Sequence, residues 1–526
     1  MRPGPGCTGA RHVLWARDAL GPGMHWGPAC PVGPGCTGAR HALGPGMHWG
    51  PACTVGPRRP VVIRCPHIMS TWQEYNSVAA PKVGLLFLGR LRGGFDPEWG
   101  AEVRRAVTAR MDALSTETVI PSDNIATDQA LADAIASCSA EGCSVLVVCQ
   151  TTISDGRLAP VLMREWQAPV VLWATPEKPT GAMISANSLV GTHVFAATMR
   201  QLGHPFEFVY GSPDDEATVY RLTGAIGEVY AAVRISRAKA GLIGSHAPGF
   251  VDFHADPVSL RSQLGVSLHH HSVPELMNRV TGDDDSEAIS HERAAFESLG
   301  LPDHSGAENP LDMQARYYRA FTGFMSEENL DVLAFRCWPD LPSNLGHWPY
   351  FALARLVSEG VPIAMEGDVD GALGSLIAES MAAGPVYLSD WLAHSAERAV
   401  IWHTGAAPFE LCDPVGSETG PRLGVQFNNR LPTVVDANIR SGIEATLFRL
   451  WRCDGRYHLT ALEGETAEPQ QERMATNGEF VSSGADIRQW FEERIHEGMP
   501  HHVCVVPGHI ADRLRRFARL LGIEWH

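Results

Sequence analysis

The sequence lacks a concentrated basic segment. After Arg59 no more than two lysine or arginine residues are adjacent, and the chain of 526 residues carries a formal net charge of −17 with a sequence pI of about 5.7. Proteins that bind nucleic acid expose a basic patch that neutralises phosphates. We therefore expect no nucleic acid or other polyanion as a partner.

Long hydrophobic runs are also missing. No apolar run reaches the roughly 18 residues that a membrane helix needs, and the N-terminus has no apolar core of the kind a signal peptide contains.

Seven of the 12 cysteines are scattered through apolar or strand-like segments without the paired spacing of metal ligands. Such cysteines are typical of a reducing compartment. The sequence predicts a cytoplasmic protein that does not contact a membrane.

Residues 1–68 differ in composition from the rest of the chain. They are rich in Gly, Pro, Cys, His and Trp, and they contain two copies each of GPGCTGARH, at Gly4 and Gly33, and of ALGPGMHWGPAC. Such a segment buries too little apolar surface to offset the entropy lost on ordering, so we expect disorder. Its Cys and His residues could alternatively bind a metal. Met69 is a candidate start of the native chain.

From Lys82 onward, apolar runs that predict strands alternate with helix-period segments. This alternation predicts parallel sheets covered by helices on both faces. After Asp390 the segments alternate polar and apolar residues as hairpins do, with a tight turn predicted at Asp454-Gly455. The fold class is therefore α/β, with two Rossmann-like parallel-sheet domains followed by a β-rich C-terminal domain. The predicted domains are residues 69–237, 238–384 and 385–526.

Two acidic side chains follow apolar runs between Val361 and Trp391. The run Val361–Met365 ends at Glu366, a helix-period segment follows, and the run Val386–Leu388 ends at Asp390. If these strands are parallel neighbours joined by a right-handed crossover, their ends lie about 5 Å apart, at the edge where open α/β sheets bind ligands. Two such carboxylates would suit a divalent metal ion.

Other interpretations of these residues stay open. Acidic residues after strands often cap the next helix, and Asp368 or Asp370 is such a candidate, which would leave Glu366 pointing out of the strand end. The pair His501-His502 introduces an apolar strand and offers the nitrogen ligand of a mixed site. A single histidine is more often packed or exposed than a ligand. The triplet at residues 269–271 has no acidic partner and is interpreted as a surface or interface feature.

Three of these motifs together resemble the L-fucose isomerases and, more distantly, the L-arabinose isomerases. In the former a strand ends in Glu-Asn-Asp, the next strand ends in Ala-Asp, and an Asn-His pair lies six residues before a Gly-His. This chain has Glu366-Gly367-Asp368, then Ser389-Asp390, then His501-His502 followed by Gly508-His509. The resemblance extends over residues 80–522. It implies that Glu366, Asp390 and His502 are metal ligands.

The resemblance also implies an activity, a cofactor and an assembly. The expected enzyme is an aldose–ketose isomerase (EC 5.3.1) that converts an open-chain sugar such as L-fucose or D-arabinose through an ene-diolate, with Glu366 and Asp390 as the acid/base pair. Two carboxylates and one imidazole, together with the family's usage, favour Mn²⁺. A homo-oligomer, a trimer or hexamer, is expected. Four further residues near the predicted cleft are candidate substrate contacts: His501, Arg336, Trp338 and His403. Arg336, Trp338 and His403 could alternatively serve only in packing.

Two rival functions use the same residues. A sugar-binding or regulatory protein could keep the fold without catalysis, because fold does not fix function. A metal-dependent epimerase or aldolase would apply the same ene-diolate chemistry to a different bond. The sequence alone does not separate these alternatives.

Overall fold

The structure is a computed structural model that describes residues 81–90, 95–114 and 116–526. The predictions for residues 1–68 lie outside the described residues. Three sheets make up the described part of the chain, two of them parallel and one mainly antiparallel. The predicted fold class is confirmed.

The first sheet contains five parallel strands in the order β2-β1-β3-β4-β5, with helices on both faces. Its elements, in chain order, are β1 (Val83–Leu88), α1 (Pro97–Ala113), β2 (Thr118–Val119), α2 (Asp128–Ala140), β3 (Val145–Gln150), α3 (Leu158–Glu165), β4 (Val170–Ala174), α4 (Ser188–Gln201), β5 (Phe206–Tyr210) and α5 (Glu216–Arg237). The central strands β1, β3 and β4 are buried along their whole length, which explains their continuous apolar sequences.

The second sheet contains four parallel strands in the order β7-β6-β8-β9. Its elements are β6 (Lys239–Ile243), β7 (Ser267–His271), α6 (Val273–Thr281), α7 (Ser286–Ser298), α8 (Pro310–Glu328), β8 (Val332–Phe335), α9 (Asp340–Leu345), α10 (Tyr350–Ser358), β9 (Ile363–Ala364) and α11 (Val369–Ser380). Short helical turns at Val251–Phe253, Pro257–Ser259 and Leu260–Leu264 lie between β6 and β7.

The third sheet contains nine strands in the order β12-β13-β16-β11-β10-β17-β14-β15-β18. Its elements are β10 (Tyr387–His394), β11 (Arg398–His403), a 3-10 turn (Phe409–Leu411), β12 (Arg422–Val425), β13 (Pro432–Asn438), β14 (Glu444–Cys453), β15 (Arg456–Ala467), β16 (Thr476–Ser482), α12 (Ile487–His496), β17 (His502–Pro507), α13 (Ala511–Leu521) and β18 (Glu524–Trp525). Because β16 also pairs with β15, strands β10, β11, β14, β15, β16 and β17 close into a barrel.

The predicted hairpin between β14 and β15 is confirmed. The two strands are antiparallel with Cys453 opposite Arg456, so Asp454 and Gly455 form a two-residue turn. Both turn residues have positive φ, 48° and 76°, which is the conformation that right-twisted hairpins favour and that Asp-Gly tolerates.

One prediction about the segment that carries the acidic residues is wrong. The strands around Glu366 and Asp390 are not parallel neighbours: β9 closes the second sheet, whereas β10 belongs to the barrel and is antiparallel to β11 and β17. The β10 strand also continues to His394, so Asp390 lies within it rather than after it. The helix between them, α11, packs on α5 and against β8, β14 and β17 instead of returning the chain to its own sheet.

The sequence also failed to predict some elements. The sequence predicted neither the helix α4 nor the strands β5 and β7. The histidines at residues 269–271 lie in β7 itself, an edge strand, where His269 and His270 are exposed and His271 packs on Phe324. No helix in the described part of the chain is long and apolar enough to cross a membrane. The predicted domain boundaries stay a prediction.

Candidate active site

Glu366 lies in a tight turn directly after β9. It adopts a left-handed backbone conformation with φ of 60°, and Gly367 follows with φ of 75°, a region that residues with a side chain rarely occupy. A Cβ atom on Gly367 would lie 2.4 Å from the carbonyl oxygen of Ser245. The turn is held by hydrogen bonds from Ala247 N to Glu366 O and from Gly367 N to Phe335 O. The close approach to Ser245 and the positive φ both favour Gly at position 367.

Asp390 and His502 face each other across neighbouring barrel strands. They are register partners in the antiparallel pair β10–β17, so their side chains lie on the same face of the sheet. The Nε2 of His502 is 3.4 Å from Asp390 Oδ1 and 3.3 Å from Glu366 Oε2. Residues predicted from three distant parts of the sequence therefore meet around one imidazole nitrogen.

Asp368 holds His502 in place from the other side of the ring. Its Oδ2 accepts a hydrogen bond from His502 Nδ1 at 2.9 Å, and the Arg449 guanidinium donates to both carboxylate oxygens at 2.6 and 2.8 Å. Asp368 also caps α11 by accepting from Gly371 N, as the sequence indicated. With Nδ1 donating, the neutral His502 ring presents a lone pair on Nε2, which is the arrangement found in metal-binding histidines.

His403 completes the group from the end of β11. It is buried, and its Nε2 lies 3.0 Å from His502 Nε2, 3.8 Å from Asp390 Oδ1 and 3.9 Å from Glu366 Oε2. The backbone N–H of Thr404 donates to its Nδ1 at 2.7 Å. That contact favours the tautomer with the proton on Nε2, so His403 directs an N–H group toward the three predicted ligands.

His501 lies next to Asp390. Its Nδ1 is 2.6 Å from Asp252 Oδ2, its ring packs on Phe250 and Phe253, and its Nε2 is 3.9 Å from Asp390 Oδ1. The side chain is 35% exposed. It can therefore reach a molecule bound over Asp390.

Burial and neighbouring charges shift the pKa values of the buried groups. Burial would raise the pKa of Glu366, but the close contact with His502 and the charges of His403 and His502 lower it to about 2. Burial would lower the pKa of His502, but the carboxylates of Asp368 and Glu366 raise it to about 9. Burial lowers the pKa of His403 against the opposing charges of Asp390 and Glu366. His502 therefore keeps a proton at neutral pH that a bound cation must displace.

A cavity of about 340 Å³ opens over these groups, which is large enough for a monosaccharide. Its walls combine the two acidic residues with His403, several aromatic rings and a run of amides. The lining residues are Phe250, Trp338, Pro339, Pro342, Ser343, Trp348, Tyr350, Glu366, Asp390, Trp402, His403, Thr404, Gln426, Phe427, Asn428 and Asn429. Two candidate substrate contacts, Trp338 and His403, lie in this wall. Arg336 is outside it and pairs with Asp340 at 2.8 Å.

Known proteins resemble this chain in sequence. The model of the L-fucose isomerase C-terminal domain matches residues 435–526, which include His502. The sulfoquinovose isomerase of Priestia megaterium is 28% identical over 429 residues, or 81% of this chain and 94% of that protein. Those of Alkalicoccus urumqiensis and Clostridium sp. are 28% and 27% identical, over 71% and 79% of this chain and 83% and 92% of theirs.

The chain is therefore similar to L-fucose isomerases in its C-terminal segment and to sulfoquinovose isomerases over most of its length. These similarities support the enzyme class that the sequence predicted, an aldose–ketose isomerase. The matched C-terminal segment supplies β17 and with it His502.

The residues at the end of this cavity fit a divalent metal ion. Glu366 Oε2 is buried and forms no hydrogen bond within the described residues, whereas Oε1 accepts from Trp338 Nε1 at 2.9 Å. Two sets of three residues could offer ligand atoms to a metal ion: Glu366 with His501 and His502, and Asp390 with His403 and His502. Within each set the ligand atoms lie within 4.8 Å of one another. His502 is common to both sets. His509, another histidine in the same motif, is elsewhere and contacts the carbonyl of Gly464.

Sequence reasoning missed the support of the site. Arg449 lies in the middle of β14 and is 1% exposed, but nothing in its local sequence distinguishes it from other arginines. Its partner Asp368 was interpreted as a helix cap, which is only one of its roles. A buried arginine needs a buried carboxylate, and only the fold shows which one it has.

Proposed function

We propose that this protein is a metal-dependent aldose–ketose isomerase that uses Mn²⁺ and acts on an open-chain aldose the size of a monosaccharide. The observation that carries the proposal is the meeting of Glu366 and Asp390 around the Nε2 atom of His502, with Glu366 Oε2 buried and without a hydrogen bond in the described part of the chain. Glu366 Oε2, Asp390 Oδ1 and His502 Nε2 would hold the ion. When bound, it would supply Lewis acidity that polarises the sugar carbonyl and favours loss of the neighbouring C–H proton.

The carboxylates can move that proton. Interconversion of an aldose and a ketose transfers one proton between C1 and C2, and a carboxylate placed beside both carbons can remove it from one and return it to the other. Asp390 lies in the cavity wall and is 25% exposed, whereas Glu366 is 7% exposed and held by Trp338. This difference in freedom makes Asp390 the better-placed proton carrier and Glu366 the more rigid ligand.

His403 has a separate role in the proposal. Its Nε2–H group points to the same place as the ligand atoms, and Thr404 fixes the tautomer. With a metal ion bound to His502 Nε2, the His403 N–H group would be free to donate to a sugar oxygen. There it would stabilise the negative charge that develops. Burial lowers the pKa of His403, so it acts as a neutral hydrogen-bond donor.

The far wall of the cavity bears on the choice of substrate. Trp338, Trp348 and Trp402 offer flat apolar faces, and Asn428 and Asn429 offer amides, whereas the described lining residues include no Lys or Arg. These walls favour a neutral aldose of the L-fucose or D-arabinose type. A sulfonated aldose is the second candidate, because the relatives are named sulfoquinovose isomerases.

The test is a sugar panel with product identification. Metal-stripped full-length protein is incubated with L-fucose, D-arabinose and sulfoquinovose, with Mn²⁺ or with chelator, and the products are identified by NMR. Conversion of one aldose to its ketose only with Mn²⁺ supports the proposal. Binding without conversion would favour the sugar-binding alternative, and an epimer or a cleaved product would favour the epimerase or aldolase.

A further inference from the structure

A second group of metal-binding side chains lies away from the cavity, where the C-terminal strand meets the barrel. His458, Glu524 and His526 offer donor atoms that all lie within 4.8 Å of one another. His458 Nδ1 is 2.9 Å from His526 Nε2 and 3.4 Å from Glu524 Oε2. None of these residues contributes to the walls of the cavity described above.

The fold brings the three residues together by backbone pairing. Strand β18 runs parallel to β15 with Glu524 opposite His458. The His526 backbone is tied to the same strand, because its N–H donates to Leu459 O at 3.1 Å and its carbonyl accepts from Thr460 Oγ1 at 3.0 Å. The position of the donors is therefore set by the barrel rather than by a free chain end.

The outward-facing nitrogen of each ring already has a partner. His458 Nε2 lies 3.1 Å from the carbonyl oxygen of Cys453, which can only accept, so this nitrogen carries the proton. His526 Nδ1 lies 3.0 Å from the Glu497 carboxylate, which likewise places a proton on Nδ1. Each neutral ring then turns a lone pair toward the other. Such outer partners are the usual support of metal-binding histidines.

The lone pairs of the two imidazoles and the Glu524 carboxylate face one another with no proton between them. A cation at this point would offset their mutual repulsion. In tetrahedral zinc sites, metal–ligand distances of about 2.0–2.1 Å place the donors about 3.3 Å apart, and the observed separations of 2.9 and 3.4 Å are close to this value. Without a cation, one of the two rings must instead donate a hydrogen bond to the other across this contact.

We propose that His458, Glu524 and His526 form a second, zinc-type site that fastens β18 to the β14–β15 hairpin. Two imidazoles and one carboxylate suit Zn²⁺ and leave one position for water. The Trp451 ring packs on both histidines, at 5.2 and 5.6 Å, and shields one side of the site. The site does not depend on the proposed isomerase activity, because it shares no residue with the cavity.

Zinc stoichiometry of the full-length protein tests the proposal. Metal-stripped protein is dialysed against dilute Zn²⁺ and the bound zinc is measured by elemental analysis. The Glu366→Gln variant isolates the second site and should keep about one Zn²⁺ per chain. Adding His458→Asn or Glu524→Gln to it should reduce this to none. Glu524 is 46% exposed, so its substitution leaves folding intact even if His458→Asn does not.

Arg456→Gln in the same background is the matched control. Arg456 donates a hydrogen bond to the other oxygen of Glu524 at 3.1 Å but offers no metal ligand, so this variant should keep its zinc. Co²⁺ in place of Zn²⁺ should give the intense visible absorption of a tetrahedral nitrogen and oxygen site. Zinc binding that survives both His458→Asn and Glu524→Gln, or no zinc in the Glu366→Gln protein, would overturn the proposal.

Discussion

Replacement of Asp368 by Asn perturbs both the fold and the candidate active site. The carboxylate is buried, pairs with Arg449 through hydrogen bonds of 2.6 and 2.8 Å, and orients His502 at 2.9 Å. Asn has the same shape and keeps an acceptor for Gly371 N at the start of α11. It cannot neutralise a guanidinium that is 1% exposed. Removing one partner of a buried ion pair costs about 3–5 kcal/mol, and we expect a loss of this size.

The assay is urea unfolding of the metal-free protein followed by tryptophan fluorescence. Asp486→Asn is the matched control: Asp486 is an exposed cap that accepts from Gln489 N at 3.0 Å, and Asn caps helices about as well as Asp. Its free energy of unfolding should change by less than about 0.5 kcal/mol. Adding Arg449→Met to Asp368→Asn should recover much of the lost stability, because no buried charge remains unpaired.

The same variant gives a second, independent readout. Loss of a carboxylate that orients a ligand histidine typically lowers metal affinity by about 10–100-fold, so Mn²⁺ affinity should fall in Asp368→Asn and should not recover in the double variant. A loss of stability below about 1 kcal/mol together with unchanged Mn²⁺ affinity would refute the assignment of Asp368 as the support of His502.

Three further predictions concern the protonation of His502, the role of His403 and the assembly of the chain. The pKa of His502 is raised to about 9 in the folded protein from an ordinary value of 6.5, so its contribution to the stability of the metal-free protein should be complete below about pH 6.5 and lost as the pH rises through 9. This contribution is on the order of 3 kcal/mol, and urea titrations of wild-type and His502→Gln proteins at pH 6.5 and 9 measure it; an equal pH dependence in both would contradict it. His403→Gln should lower kcat by about 100-fold while the Mn²⁺ stoichiometry is unchanged, and loss of the metal would instead make His403 a ligand. The protein should be a trimer or hexamer by light scattering, since the surface of α4 exposes Leu189, Val190 and Val194 by 42%, 48% and 45%; an active monomer would exclude this assembly.

Local patterns predicted the type of most elements but not their partners. The apolar run of β1 and the Asp-Gly turn after β14 are local features, and the structure confirms both. The strand before Met365 and the strand after Gly384 were also recognised, yet they belong to different sheets. Hydrophobic periodicity reports which face of a strand is buried and carries no information about the neighbouring strand.

The candidate site shows the same division. The separate motifs nominated Glu366, Asp390 and His502, and the fold brings them together by a route other than the predicted crossover. Asp390 meets His502 because β10 and β17 pair in antiparallel register within the barrel. His403 was nominated near the cleft and lies in the cavity wall. The position of Arg449 depends on contacts between residues far apart in sequence, so no local pattern could predict it.

The central claim is that Glu366, Asp390 and His502 together hold one divalent ion, and an anomalous difference map from crystals grown with Mn²⁺ tests it most directly. We expect a single strong manganese peak at the end of the cavity, with Glu366 Oε2, Asp390 Oδ1 and His502 Nε2 at about 2.0–2.3 Å from it. Crystals of the Glu366→Gln variant should show no such peak. A map of the wild-type protein without manganese between these three side chains would contradict the account.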